Sequence, residues 1–231
     1  AAVRDYLERH LDLLRYRVLA DLDDTELERL VIAADRNVRD LLGTLGFFSP
    51  EVHIERDKAV AGDTGATRIV RISVTPGPPT LVRSVALDFR GAIAGDPAAA
   101  AQRQAIRDGW PLPVGKPFTQ EGWDDAKTAS LRQLAARRYP LGRIAESRAE
   151  IDPQQQSARL GVTLDSGPAF RLGSLQVDGL QRYTPELVAR IARLEPGSPY
   201  DQTALLEAQQ RLQDSGDFNS VVLEMDPQGD P

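Results

Sequence analysis

At 231 residues, with 41% hydrophobic and 27% charged residues, the chain has a globular composition and a length suited to two or three small units. A net charge of −6 argues against nucleic acid, the absence of cysteine excludes disulfides and thiolate chemistry, and no stretch approaches the roughly 18 apolar residues of a membrane helix. No charged-then-apolar leader opens the chain, so any signal peptide is expected to have been removed already.

Val3, Leu7, Leu11 and Leu14 share one helical face, so the chain opens in a helix. Thr25 and Glu28 form a capping-box pattern and predict the start of a second helix. Its stripe of Leu27, Leu30, Val31, Ala34, Val38, Leu41, Leu42 and Leu45 keeps the helical period up to Gly46, a residue suited to a left-handed cap. Val52, Ile54 and Arg56 then alternate with Glu51, His53 and Glu55, predicting a strand. A glycine-containing loop at 59–66 joins it, as a hairpin, to a strand at 69–74.

A strand at 83–89 precedes Asp96-Pro97, an N-cap followed by proline at the first helical position, and a helix over 98–106. Gly115-Lys116-Pro117-Phe118-Thr119 introduces another helix, with Trp123, Ala126, Ser130, Leu131 and Leu134 inward; strands at 143–151 and 158–165 follow. The chain continues with a strand at 174–177, a helix from Thr184-Pro185, and the turn Gly197-Ser198-Pro199-Tyr200. A helix over 202–214 carries Leu205, Ala208 and Leu212 inward, Gly216 ends it, and a strand at 220–225 comes last.

This order is a repeat. Val70, Ile72, Val74, Gly77-Pro78, Val85, Leu87 and Asp88 return 90 positions later as Leu160, Val162, Leu164, Gly167-Pro168, Leu175, Val177 and Asp178. Gly115 to Phe118 returns 82 positions later as Gly197 to Tyr200. The expected class is α+β, in units 1–77, 78–167 and 168–231, each strand–helix–helix–strand–strand, with seams near 76–81 and 166–171. The first unit lacks its opening strand and the third its closing one, as in a piece cut across a tandem array.

No constellation for chemistry emerges. The two histidines, His10 and His53, are expected to be solvated or simply hydrogen-bonded, and neither a Walker motif nor G-x-G-x-x-G occurs. Asp21, Asp23 and Asp24 start like a calcium loop, but Glu26 stands where glycine is needed and Ile32 where the bidentate Glu should be. Helix capping accounts for that cluster better, and core packing accounts for Trp110 and Trp123. We therefore expect no enzyme, cofactor or metal site.

A tandem β-α-α-β-β unit without catalytic residues resembles a POTRA (polypeptide-transport-associated) domain. Leu45-Gly46-Phe47-Phe48-Ser49-Pro50 resembles the LGYYxP signature of the first POTRA in the TamA family, the outer-membrane subunits of the translocation and assembly module. Val74-Thr75-Pro76-Gly77-Pro78-Pro79 resembles the TPG turn that follows it. Arg171-Leu172-Gly173 with Gln176-Val177-Asp178-Gly179 is similar to RFGxVxFEG at the start of the third POTRA, and 212–222 to its SGWFNSVV segment. Two departures stand out: Arg138-Tyr139-Pro140 replaces Gly-Tyr-Phe, and Asp217 replaces an aromatic, which predicts an exposed side chain there.

The resemblance implies tandem POTRA repeats, each a three-stranded sheet covered by two helices, with the last strand of each unit central. It implies a place on the periplasmic face of the outer membrane of a Gram-negative bacterium, ahead of a β-barrel. The implied work is assembly of outer-membrane proteins, autotransporters among them, with unfolded clients and a TamB-like inner-membrane-anchored protein as partners. A BamA-like assembly factor or a two-partner secretion transporter is the alternative; a divisome-type scaffold would carry a single unit. Binding would be by strand addition, because main-chain pairing at a sheet edge tolerates clients of varied sequence. The corresponding edges are Val52, His53, Ile54, Glu55 and Arg56; Arg143, Ile144, Ala145 and Glu146; and Val221, Val222 and Leu223. Charges such as Glu55, Arg143 and Glu146 also suit a merely protected edge. The first unit, farthest from a barrel, is the preferred partner site.

Overall fold

The computed structural model describes residues 2–18, 22–58, 68–180, 182–218 and 220–226. The loop expected at 59–66 lies outside the described residues, as does Asp21. Helix α1 (Ala2–His10) passes through a 3-10 stretch (Asp12–Val18) toward α2 (Asp24–Thr44). Asp23, not Thr25, caps α2: its carboxylate accepts the Glu26 N–H at 2.7 Å, and Thr25 lies inside the first turn. A carboxylate is a good cap that also gains from the helix dipole, which gives Asp23 the advantage. Glu28 instead stands 3.6 Å from Arg56.

Strands β1 (Glu51–Lys58) and β2 (Arg68–Thr75) pair antiparallel, Val52 opposite Val74 and Ile54 opposite Ile72. Their apolar side chains Val52, Ile72 and Val74 pack on Leu7, Leu11, Val38 and Leu42, the buried cluster of the two helices. Among the described residues this sheet has two strands, as expected for a first unit without its opening strand.

A second sheet has three strands: β3 (Leu81–Arg90), β4 (Arg143–Asp152) and β5 (Ser157–Asp165), in the order β3-β5-β4. The last strand is thus the central one. It accepts at Gln156 the Leu81 N–H and donates from Ser166 to Arg90 O, so β3 and β5 run the same way. β4 and β5 form a hairpin, whose turn Asp152 fastens by accepting the N–H groups of Gln154 and Gln155. Ala158, Leu160, Val162 and Leu164 of β5 are all buried, at 3% exposure or less, as a strand covered on one face requires.

Between β3 and β4 lie α3 (Ala92–Gly95), a 3-10 turn (Pro97–Ala99), α4 (Ala100–Asp108) and α5 (Gln120–Ala135). The helix expected over 98–106 therefore starts as a 3-10 turn, capped as predicted by Asp96, which accepts the Ala98 N–H. Trp123, Ala126, Ser130 and Leu134 of α5 are buried, and so is Trp110.

Helices α6 (Pro185–Ala192) and α7 (Gln202–Asp214) follow, meeting through Val188, Ala192, Ala208 and Leu212. Asp201 caps α7. The stretches expected as strands at 174–177 and 220–225 make no ladder among the described residues. A strand exists only beside a hydrogen-bonded neighbour, and neither stretch has one among the described residues.

By compactness the chain divides into two units, 1–85 with 111–126 and 149–160, and 86–110 with 127–148 and 161–231. No described helix is long and apolar enough to cross a membrane.

Candidate strand-addition edges and unit junctions

β4 has β5 on one side and, among the described residues, no strand on the other. Arg143, Ala145 and Glu146 are exposed and Ile144 half-buried. Arg143 reaches Asp165 at 2.9 Å, and Glu146 reaches Arg90 at 2.8 Å, so β4 is ion-paired both to β5 and to β3. The Asp165 carboxyl is held below its usual range, first by the Gly167 N–H it accepts and then by Arg143. These charges sit on side chains, and among the described residues no strand lies along the outer side of β4.

β1 offers a second edge beyond its β2 partner. Val52 and Ile54 face inward, half-buried, while His53, Glu55 and Arg56 are exposed. Arg71 lies 3.5 Å from Glu55 and 3.4 Å from Asp57. Val221, Val222 and Leu223 belong to an extended segment rather than a strand. Val221 and Leu223 pack on the α6–α7 cluster, and Val222 is 71% exposed. Asp217 is exposed as predicted and accepts the Tyr183 hydroxyl at 2.9 Å; Asn219 of the same motif lies outside the described residues. His53 is exposed, and so is His10, whose ring stands 4.5 Å from that of Tyr6. No group of three metal-ligating side chains occurs among the described residues.

The two sequence offsets reappear as one junction built twice. Near the first seam, Thr80 N–H donates to Gly46 O and Phe118 N–H to Thr80 O, while Val82 exchanges bonds with Lys116 O and Gly115 N–H. Near the second, Phe170 N–H donates to Arg138 O and Tyr200 N–H to Phe170 O, while Leu172 exchanges bonds with Ser198 O and Gly197 N–H. Thr80 answers to Phe170 and Val82 to Leu172, 90 positions on; Gly115, Lys116 and Phe118 answer to Gly197, Ser198 and Tyr200, 82 positions on. The helix ends also match, Gly46 with φ +90° and Arg138 with φ +63°. Position Arg138 is where the departure from Gly-Tyr-Phe falls. It keeps the left-handed backbone and anchors its guanidinium on Asp96 at 3.0 Å. Main-chain bonding makes the junction insensitive to side-chain identity, so the sequence offsets mark its place but not its hydrogen bonds.

The crystal structure of POTRA domains 3–5 of BamA from Haemophilus influenzae superposes with a TM-score of 0.50, covering 92% of this chain and 78% of that one at 18% identity. The chain has the POTRA fold. Residues 170–231 also match the family model described as POTRA, surface antigen variable number repeat. Among other similar structures, POTRA1-3 of Omp85 from Anabaena covers 97% of this chain and 84% of that one, at 18% identity and a TM-score of 0.32. The N-terminal domain of Omp85 from the cyanobacterium Thermosynechococcus elongatus covers 94% and 85%, at 17% identity and a TM-score of 0.31. Among the described residues the β3-β5-β4 sheet is the three-stranded one, with β4 at its edge.

Proposed function

We propose that the chain is a periplasmic POTRA module of an outer-membrane protein assembly factor of the Omp85/BamA type, a binding scaffold rather than an enzyme. Its units are 1–77, 78–167 and 168–231, and it holds unfolded outer-membrane proteins by adding their strands to its sheet edges. The observation that carries this is β4: a ten-residue strand at the edge of its sheet, ion-paired through its side chains, with no strand on its outer side among the described residues. Clients of many sequences share only their backbone, and an open row of N–H and C=O groups is what can recognise a backbone. β1 is the second such edge.

A narrower reading makes the module TamA-like, with a TamB-like protein as partner and autotransporters among the clients. It is supported by the resemblance of Leu45-Gly46-Phe47-Phe48-Ser49-Pro50 and of the 212–222 segment to sequences of that family.

Proline scanning tests strand addition. Neighbouring residues of a strand point their N–H groups to opposite sides, so one of Ala145→Pro and Glu146→Pro removes an outward donor and spares the β4–β5 ladder. That variant should keep its circular dichroism and lose an unfolded outer-membrane client in pull-down. Retained capture by the folded variant would refute the reading.

A further inference from the structure

The three-stranded sheet has two outer strands, β3 and β4, and among the described residues no strand lies beyond either. β3 is anchored to β5 at both ends: Leu81 donates its N–H to Gln156 O, and Arg90 O accepts the Ser166 N–H. In an unbroken parallel ladder a residue donates to the carbonyl before its neighbour and accepts from the N–H after it. Leu81 then stands beside Ser157 and Arg90 beside Asp165. Yet ten residues of β3 fill the span that nine residues of β5 fill. One residue of β3 is extra.

Burial shows where it lies. Val82 and Leu87 are buried, Val85 and Phe89 are half-buried, and Arg83 and Ser84 are exposed side by side. A regular strand alternates, so two exposed neighbours between inward residues mark a bulge, two residues in the place of one. A bulge interrupts the row of main-chain groups and bends and twists its strand. Just before it the outer main chain is already occupied, because Val82 donates to Lys116 O and accepts from the Gly115 N–H. Lys116 is held in turn by its Nζ, which donates to Pro111 O at 3.0 Å. Beyond the bulge the guanidinium of Arg107 stands 4.9 Å from the centre of the Phe89 ring. A covering segment, a bulge and a nearby charge are all means by which sheet edges are kept from pairing.

We propose that Arg83 and Ser84 form a β-bulge that closes the outer side of β3 to an incoming strand. Combined with the client reading of β4, this makes the sheet one-sided, since a strand can then add along β4 alone. The closure itself does not rest on that reading, because a client and a second copy of the chain meet the same break.

The test uses the whole chain and a synthetic peptide of alternating threonine and valine, a generic strand, at millimolar concentration. Arg90 bonds toward β5, so Val85, Leu87 and Phe89 point their amides outward. In the unaltered chain the peptide should leave hydrogen exchange at these three amides unchanged. In a variant lacking Ser84, one-for-one pairing is restored and the same residues stay outward, so the peptide should slow them at least tenfold. Deletion of Arg83 removes the same extra residue and provides a second variant. Exchange at Leu160 and Val162 of β5 checks folding in each protein. Slowing at Val85, Leu87 and Phe89 in the unaltered chain would overturn the proposal. Equal rates with and without peptide in a folded deletion variant would overturn it as well. Slowing at β3 in the deletion variants with none along β4 would uphold the closure and count against the client reading alone.

Discussion

A Cβ placed on Gly46 would stand 2.0 Å from the carbonyl oxygen of Phe118. Gly46 ends α2, and Phe118 precedes α5, so the end of one helix touches the turn before another at main-chain range. The approach is held by Thr80, whose N–H donates to Gly46 and whose carbonyl accepts from Phe118. The rings of Phe48 and Phe118, 6.0 Å apart, cover the same corner.

Gly46→Ala must therefore break two constraints at once, a backbone φ of +90° and a backbone contact that cannot rotate away. Gly115 has nearly the same φ, +87°, with nothing within 4 Å of its would-be Cβ. Left-handed strain alone is about 1 kcal/mol, so Gly115→Ala should lose about that much in urea denaturation. Gly46→Ala should lose clearly more, and equal losses would show that the close contact is not rigid.

Arg138 holds the corresponding left-handed position in the matching set of hydrogen bonds around Phe170, with a side chain attached. Its ion pair with Asp96, both partners about 30% exposed, offsets part of that strain. Arg138→Gly gives up the pair and relieves the backbone; Arg138→Ala gives up the pair alone. Arg138→Ala should be the less stable of the two by about 1 kcal/mol in thermal or urea unfolding.

Leu42 and Leu212 are buried at 2% exposure or less in the helix clusters at opposite ends of the sequence. Each truncation to alanine should cost about 2–5 kcal/mol where the surroundings do not collapse. If the two clusters belong to separate repeats, exchange protection should fall around β1 and β2 for Leu42→Ala and around α6 and α7 for Leu212→Ala. Loss of protection in both places from either variant would mean one cooperative core.

Acid should weaken the β3-β5-β4 sheet through Asp165. Its pKa is lowered in the folded chain by the Gly167 N–H and by Arg143. A lowered carboxyl pKa contributes stability that is fully present above the unfolded value, about 3.9, and is lost as pH falls below it through the folded value. Asp165→Asn should flatten the fall in stability below about pH 4 and leave its slope at neutral pH unchanged.

Much of this was legible in the sequence. Period-two runs marked β1, β2, β4 and β5, and the constant offsets from Val70 to Leu160 and from Gly115 to Gly197 marked the junction later seen as matching hydrogen bonds. The capping choice was not legible, because Asp23 and Thr25 both suit a cap and only geometry selects one. Arg138 hid a left-handed turn behind a residue that rarely adopts it. Residues 174–177 and 220–225 read as strands because alternation reports which side faces the helices, and that much is true of them. Alternation does not report whether a hydrogen-bonded neighbour stands alongside.

The most direct measurement of the central claim is amide exchange along β4, from Arg143 to Asp152, with and without an unfolded outer-membrane protein. Strand addition predicts new protection at every second amide of β4, the outward ones, with the inward amides already slow through β5. Protection spread over α4 and α5 while the outward amides of β4 keep their rates would contradict it.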